Sequence, residues 1–195
     1  MEHPLRVIIR HFDSWLSQQN NVVPFNDDPD CILRIQIQET RHPLELSDGT
    51  LPAGTEVIML HLWNERSLHI PTGGPDISWG LKMYRLTRQS LRFVARFIVT
   101  HESLGSVQAI GGITPHFWLD DKGGIAMLNG LGFSTTPYHS RLGAFGEFWE
   151  NFYSWWLMWT FNPVSSQHRS MFNLQRSEFW TSKESFLERY SLPNH

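Results

Sequence analysis

Thr55-Glu56-Val57-Ile58-Met59-Leu60-His61-Leu62-Trp63 is the most continuous apolar run in the first half of the chain, and it steps by two. Val57, Met59 and His61 alternate with Ile58, Leu60 and Leu62. Both sets are mostly apolar, as in a central β-strand covered on its two faces. Residues 64–79 then carry Pro71, Gly73, Gly74 and Pro75, which interrupt any regular element. Beyond them the step changes. Leu81, Tyr84, Leu91, Val94, Phe97 and Ile98 recur at helical spacing, while Lys82, Arg85, Arg88 and Arg92 fall mostly elsewhere. This predicts a long helix, capped by Asp76 or Ser78 and reaching about His101. A two-residue rhythm followed by a helical one is the signature of an α+β chain.

Working outward, Leu33, Ile35 and Ile37 alternate with Arg34, Gln36 and Gln38, which predicts a half-buried strand over Cys31 to Glu39. Before it, Leu5, Ile8, Ile9, Phe12 and Leu16 form one stripe of a short amphipathic helix, followed by an Asn-, Asp- and Pro-rich loop over 20–30. A turn is expected at Ser47-Asp48-Gly49. After the long helix come short apolar runs, Val107 to Ile113, Phe117 to Leu119 and a strand near Phe133, with tight turns expected at Gly111-Gly112 and Gly123-Gly124. An aromatic helix is expected over Phe145 to Phe161, and a short helix over Ser182 to Tyr190. The expected architecture is α+β: a mixed or mainly antiparallel sheet packed by a long central helix and an aromatic C-terminal helix. One domain should span 1–195, with 1–30 an N-terminal helix and loop and 145–195 a C-terminal helical extension.

Composition narrows the function. With 41% hydrophobic and 18% charged residues the chain can bury a core, and a formal charge of −3 lacks the basic excess that a phosphate backbone demands. Nucleic acid is therefore not expected as a partner. Cys31 is the sole cysteine, so no internal disulfide can form, and a buried thiol in a cytoplasmic protein is the simplest reading. Met1 to Arg10 lacks a secretory apolar run, and no later stretch is apolar enough for a membrane span.

Tryptophan is the outlier: nine residues, four of them between Trp149 and Trp159. Glu147, Glu150, Asn151 and Ser154 fall at i, i+3, i+4 and i+7, leaving a wide apolar remainder that includes Trp149, Trp155, Trp156 and Trp159. The wide face is expected to pack on the sheet as core. Its alternative is docking on a protein partner or a second copy. Two glutamates and no basic residue make a lipid surface the poorer match.

Chemistry is less legible. Ten histidines invite a metal, but no pair has a diagnostic spacing, and neither a metal nor a cofactor is expected. Cys31 and the serines lack a nucleophile motif, and no glycine pair sits in a phosphate-binding pattern. The candidates for a catalytic site are His61 and His116. Asn64, His69 and Trp79 would join them in a ligand pocket where strand ends meet the Gly111 to His116 segment. Arg85, Arg88 and Arg92 would form an anion-binding stripe for an acidic small molecule, although most such stripes are solvated helix faces.

Several segments together resemble a known family. Leu46-Ser47-Asp48-Gly49-Thr50, the strand ending His61-Leu62-Trp63-Asn64, Val107-Gln108-Ala109-Ile110-Gly111-Gly112, Leu131-Gly132-Phe133 and Glu178-Phe179-Trp180-Thr181-Ser182 resemble the bacterial YkoP-like family. Its members are associated with polysaccharide deacetylases, which implies a role near cell-envelope polysaccharide metabolism. A deacetylase metal motif is missing here, so the resemblance transfers no catalytic activity. Leu131-Gly132-Phe133 is also similar to the LGF late in GNAT acetyltransferases, whereas Gln108-Ala109-Ile110-Gly111-Gly112-Ile113 departs from the R/Q-x-x-G-x-G/A acyl-CoA loop at its last position. Two functions are thereby expected: an accessory binding domain for a protein partner or an anionic ligand, or a small acetyltransferase-like transferase or hydrolase with a histidine in its site.

Overall fold

The alternating stretches become β1 (Leu33–Glu39) and β4 (Glu56–Leu62), antiparallel neighbours paired from Leu33↔Leu62 to Glu39↔Glu56. The computed structural model describes residues 4–69, 71, 76–115, 121–140, 142–161 and 176–191. Between those strands β2 (Leu44–Leu46) and β3 (Gly49–Leu51) form a separate hairpin. Helix α1 (Pro4–Gln19) precedes them. Helix α2 (Ile77–Thr100) follows β4, its N-terminus capped by Asp76, which accepts the Trp79 amide at 2.7 Å. A 3-10 turn at Glu102–Leu104 leads to β5 (Ala109–Pro115), then α3 (Asp121–Gly130), β6 (Ser134–Pro137), α4 (Gly143–Phe161), β7 (Arg176–Ser182) and α5 (Lys183–Tyr190).

The five-stranded sheet runs β1-β4-β5-β7-β6. Among the described residues only β4 and β5 are parallel, joined through α2 as a parallel pair must be by a long crossover. The α+β class, the mixed sheet, the long helix and the aromatic helix therefore stand as expected. Two kinds of expectation do not, the tight turns at glycine pairs and the helical extension over 145–195. Gly111 and Gly112 lie inside β5 and not in a turn: a Cβ on Gly111 would overlap the Phe179 carbonyl and the Trp180 indole, and one on Gly112 would come within 2.9 Å of the Leu60 carbonyl. Here glycine permits close strand approach. Gly123-Gly124 likewise falls within α3.

The second correction concerns 145–195, which is not a helical extension. Strand β7 is inserted between β5 and β6, pairing Ala109↔Ser182 to Pro115↔Arg176 on one edge and Ser134↔Trp180 to Pro137↔Ser177 on the other. Its polar alternation Ser177, Phe179, Thr181 against Glu178, Trp180 hid a strand that is buried on both faces.

One sheet face is a conventional core. Leu33, Ile35, Ile58, Leu60 and Ile110 meet Leu91, Val94 and Ile98 of α2 and Phe186 of α5, each buried side chain contributing roughly 1.5–3 kcal/mol. The other face is divided. Val57, Met59, Ala109 and Trp180 sit beneath Leu44, Leu46 and Leu51 of the hairpin. Beyond them, toward the carboxyl end of β4, the covering elements are α1 and α4 and the lining is polar.

Candidate functional site

The parallel pair does not run the length of its strands. The β4–β5 ladder comprises Val57↔Ala109, Ile58↔Ile110 and Met59↔Gly111, whereas β1 continues alongside β4 to Leu62 and β7 alongside β5 to Pro115. His61 and Leu62 on one side, and Ile113 to Pro115 on the other, therefore have no ladder partner across this seam. A cavity of about 1180 Å³ occupies the region and is lined from both sheet faces: by His61, Arg34 and Glu178 on one, by Leu60, Tyr84 and Leu91 on the other. Trp79 and Gly80 from the first turn of α2 also line it, which brings the positive end of a 24-residue helix to the carboxyl ends of the parallel strands.

Ionisable groups converge on the α1/α4 side. Arg34 and His61 are direct cross-strand partners, and the His61 Nε2 lies 3.0 Å from Gln36 Oε1. Donation from Nε2 to that oxygen leaves Nδ1 as the acceptor. Burial, reinforced by the Arg34 charge, pushes the His61 pKa down to about 4, so the ring is neutral at pH 7. From above, the Tyr153 hydroxyl of α4 donates to Asp13 Oδ1 of α1 at 2.6 Å, and Asp13 Oδ2 lies 3.7 Å from Arg34 Nη2. Burial and the Asp13 carboxylate drive the Tyr153 phenol far above its usual range, so it remains a donor.

A second cluster closes the other end. Arg176 is gripped by α4: its Nε donates to Asn151 Oδ1 at 3.0 Å, and its Nη2 donates to the Glu150 carbonyl at 2.5 Å and to Ser154 Oγ at 2.6 Å. Burial lowers the Arg176 pKa while Glu150 opposes that shift. Glu150 also accepts from the Tyr138 and Ser140 hydroxyls at 3.1 and 2.9 Å. Nearby, Glu178 is buried between His42 Nε2 and the Trp180 indole N–H, each 3.2 Å away.

These bonds invert the expectation for the aromatic helix. Asn151 is buried and its stripe faces Arg176, while Phe145, Phe148 and Trp149 are exposed and Trp155 and Trp156 half-buried. The reason lies beneath the helix: a buried guanidinium needs acceptors, and only the narrow polar stripe supplies them. The Trp159 side chain and all of His116 lie outside the described residues.

Of the residues singled out from sequence, His61, Asn64 and Trp79 line the cavity. His69 is a brace at its rim: its Nδ1 lies 3.1 Å from the Phe161 carbonyl, and its own carbonyl accepts the Trp79 indole N–H at 3.1 Å. Arg85 and Arg88 are exposed on α2, Arg92 is half-buried, and none of the three lines the cavity. Asp13, Arg34, Tyr153, Arg176 and Glu178 were not anticipated. Asp13 and Arg34 fall on sides read as outward and polar, Tyr153 lies outside the polar stripe of its helix, and Arg176 and Glu178 follow a stretch read as a polar connector.

The fold and cleft together define an α+β domain whose sheet is breached along its one parallel seam. The chain belongs to the YkoP domain family, which matches residues 6–190. No curated protein and no solved structure matches it. Among the described residues, no helix is long and apolar enough to cross a membrane, and no three potential metal-ligating side chains converge.

Proposed function

We propose that the chain is an acyltransferase that takes its acyl group from a thioester carried on an extended amide-bearing arm, such as that of coenzyme A. The observation that carries this reading is the loss of β4–β5 pairing past Leu60 and Gly112, where His61 and Leu62 have no ladder partner among Ile113 to Pro115. Two strand edges released from each other present unpaired backbone groups, and a linear chain of amides is the ligand type that fills such an opening by strand-like hydrogen bonding. Leu131-Gly132-Phe133, on the turn between α3 and β6, adds its similarity to acetyltransferases. Neutral His61 beside the opening supplies a proton acceptor for the attacking group. Buried, unpaired Cys31 supports a reducing cytoplasm, and the family's association with polysaccharide deacetylases supports a bacterial role near envelope polysaccharide metabolism.

Thermal unfolding with and without acetyl-CoA tests this reading. Binding to the native state alone at 100 times the dissociation constant stabilises by about 2.7 kcal/mol and raises the melting temperature by several degrees. The adenosine 3',5'-bisphosphate fragment, which lacks the arm, should give a much smaller rise. No shift with millimolar acetyl-CoA would remove the reading.

One observation favours a second reading, that of a docking module. Phe145 and Trp149 of α4 are 67% and 52% exposed, and Trp15 of α1, the helix in contact with α4, is 51% exposed. Such a patch suits a protein partner or a second copy. Light scattering that shows a monomer at high concentration, unchanged by Trp149→Ser, would count against self-association.

A further inference from the structure

The helices that roof the cleft have a second face. On α1, Leu16 and Ser17 line the cavity, and on α4, Glu150, Ser154 and Leu157 do so. Half a turn away around each helix runs an apolar stripe. It comprises Ile8, Phe12 and Trp15 on α1, at i, i+4 and i+7, and Phe145, Phe148, Trp149, Phe152 and Trp156 on α4, at i, i+3, i+4, i+7 and i+11. Phe152 and Trp156 are half-buried and the other six are exposed. The rings form one connected surface. Trp15 stacks on Phe12 with centroids 5.8 Å apart, and Phe12 reaches Trp156 across the two helices at 6.5 Å. From Trp156 the rings of Phe152, Trp149 and Phe145 follow at successive spacings of 5.6, 5.8 and 6.3 Å.

Spacing, area and charge select the occupant. An apolar stripe at helical spacing is the seam by which one helix packs on another, so two stripes side by side call for helices. An aromatic side chain carries about 150–250 Å², so five rings near half exposure offer roughly 500 Å², to which Ile8 and Leu142 add. That approaches the area of about 800 Å² that each partner gives to a stable interface. No exposed side chain described on α1 or α4 is a carboxylate, a lysine or an arginine. A charged partner or an anionic lipid surface therefore finds nothing here to pair with. In a two-fold contact, groups near the axis meet their own copies, and a charge there would be repelled by itself. A face free of charge is what such a contact requires.

We infer that α1 and α4 pack through these outward stripes against the same two helices of a second copy of this chain, giving a two-fold layer of four helices. This inference rests on the docking-module reading and commits it to one partner. The cavity-lining side of each helix is the opposite one, so the two clefts point away from each other and dimerisation leaves both accessible.

Sedimentation velocity on the full chain, over about 1 to 200 µM, tests the interface. The native chain should pass from 22.8 kDa to twice that mass, with a micromolar or lower dissociation constant. Trp15→Gln combined with Trp149→Gln should weaken association at least about 30-fold, the loss expected for an interface hot spot. Its melting temperature at the lowest concentration should stay close to that of the native chain, since both positions are exposed in the monomer. If the double variant fails to fold, Trp149→Gln alone decides. Ile77→Gln, at an exposed side chain of α2 outside this face, should leave association unchanged. A chain monomeric throughout that range, a dimer that the tryptophan substitutions do not weaken, or one that Ile77→Gln weakens equally would each overturn the inference. For a monomer, fluorine NMR of the chain labelled with fluorotryptophan separates this failure from that of the docking reading. Trp15 and Trp149 signals broadened by a soluble paramagnetic probe would leave the face free for a different protein, or for lipid if the chain also floats with phosphatidylglycerol vesicles. Signals that the probe leaves sharp would remove the docking reading as well.

Discussion

His61 shows how one side chain couples the cleft to stability. Its ring is held neutral by burial and by Arg34, with a pKa of about 4 against an ordinary 6.5. Above pH 6.5 the folded and unfolded chains both carry it neutral, and it contributes no pH dependence. Between pH 6.5 and about 4 the unfolded chain takes up a proton that the native chain refuses, so stability falls as the pH drops. The full loss from this residue, reached near pH 4, is on the order of 3 kcal/mol. Urea titrations at pH 7 and pH 4.5 should show a smaller acid destabilisation in His61→Gln than in the native chain. Equal losses in both would mean that the ring titrates normally. Histidine at this position was recognisable from sequence because it interrupts an apolar strand. Arg34 was not, since its alternation with Leu33 and Ile35 reads equally well as a solvated face.

Among elements, the first half of α4 runs against the usual rule that the apolar side of a helix faces inward: Phe145, Phe148 and Trp149 are exposed while Asn151 is buried. Replacing Asn151 by Leu removes an acceptor from the buried Arg176 and should cost about 1.5–3 kcal/mol despite raising hydrophobicity. Trp149→Gln changes an exposed position and should stay within about 0.5 kcal/mol. Chemical denaturation of the two variants checks the orientation, and the reverse ranking would contradict it. The helix itself was legible over almost its full length, as were β1, β4, α1, α2 and α5, because their apolar periods are set by the elements' own geometry. Its facing was not, because facing depends on what lies beneath, and Arg176 arrives from a strand whose own period is masked by apolar residues on both sides. The glycines of β5 misled for a related reason: Gly111 is required by the nearness of Phe179 and Trp180, which are 68 and 69 positions further along the chain.

For the whole molecule, the sheet order puts the strand made last between two strands made before it. Truncation after Gly143 removes α4, β7 and α5 and leaves β5 and β6 without the strand that joins them. Such a fragment should show no cooperative thermal transition by circular dichroism, whereas the full chain should melt in one step. A cooperatively folded fragment would mean that the sheet is not the unit of stability.

The same insertion has a consequence during synthesis. Residues leave the ribosome in order, and the strand that occupies a middle lane of the sheet is made last of the five. Until Ser182 has emerged, one edge of β5 is an open row of amides and carbonyls with nothing of its own chain to meet it. The nascent polypeptide is thus committed to a late closure, and slow translation through 176–182 should lengthen the interval in which chaperones, or a neighbouring nascent chain, can claim that edge.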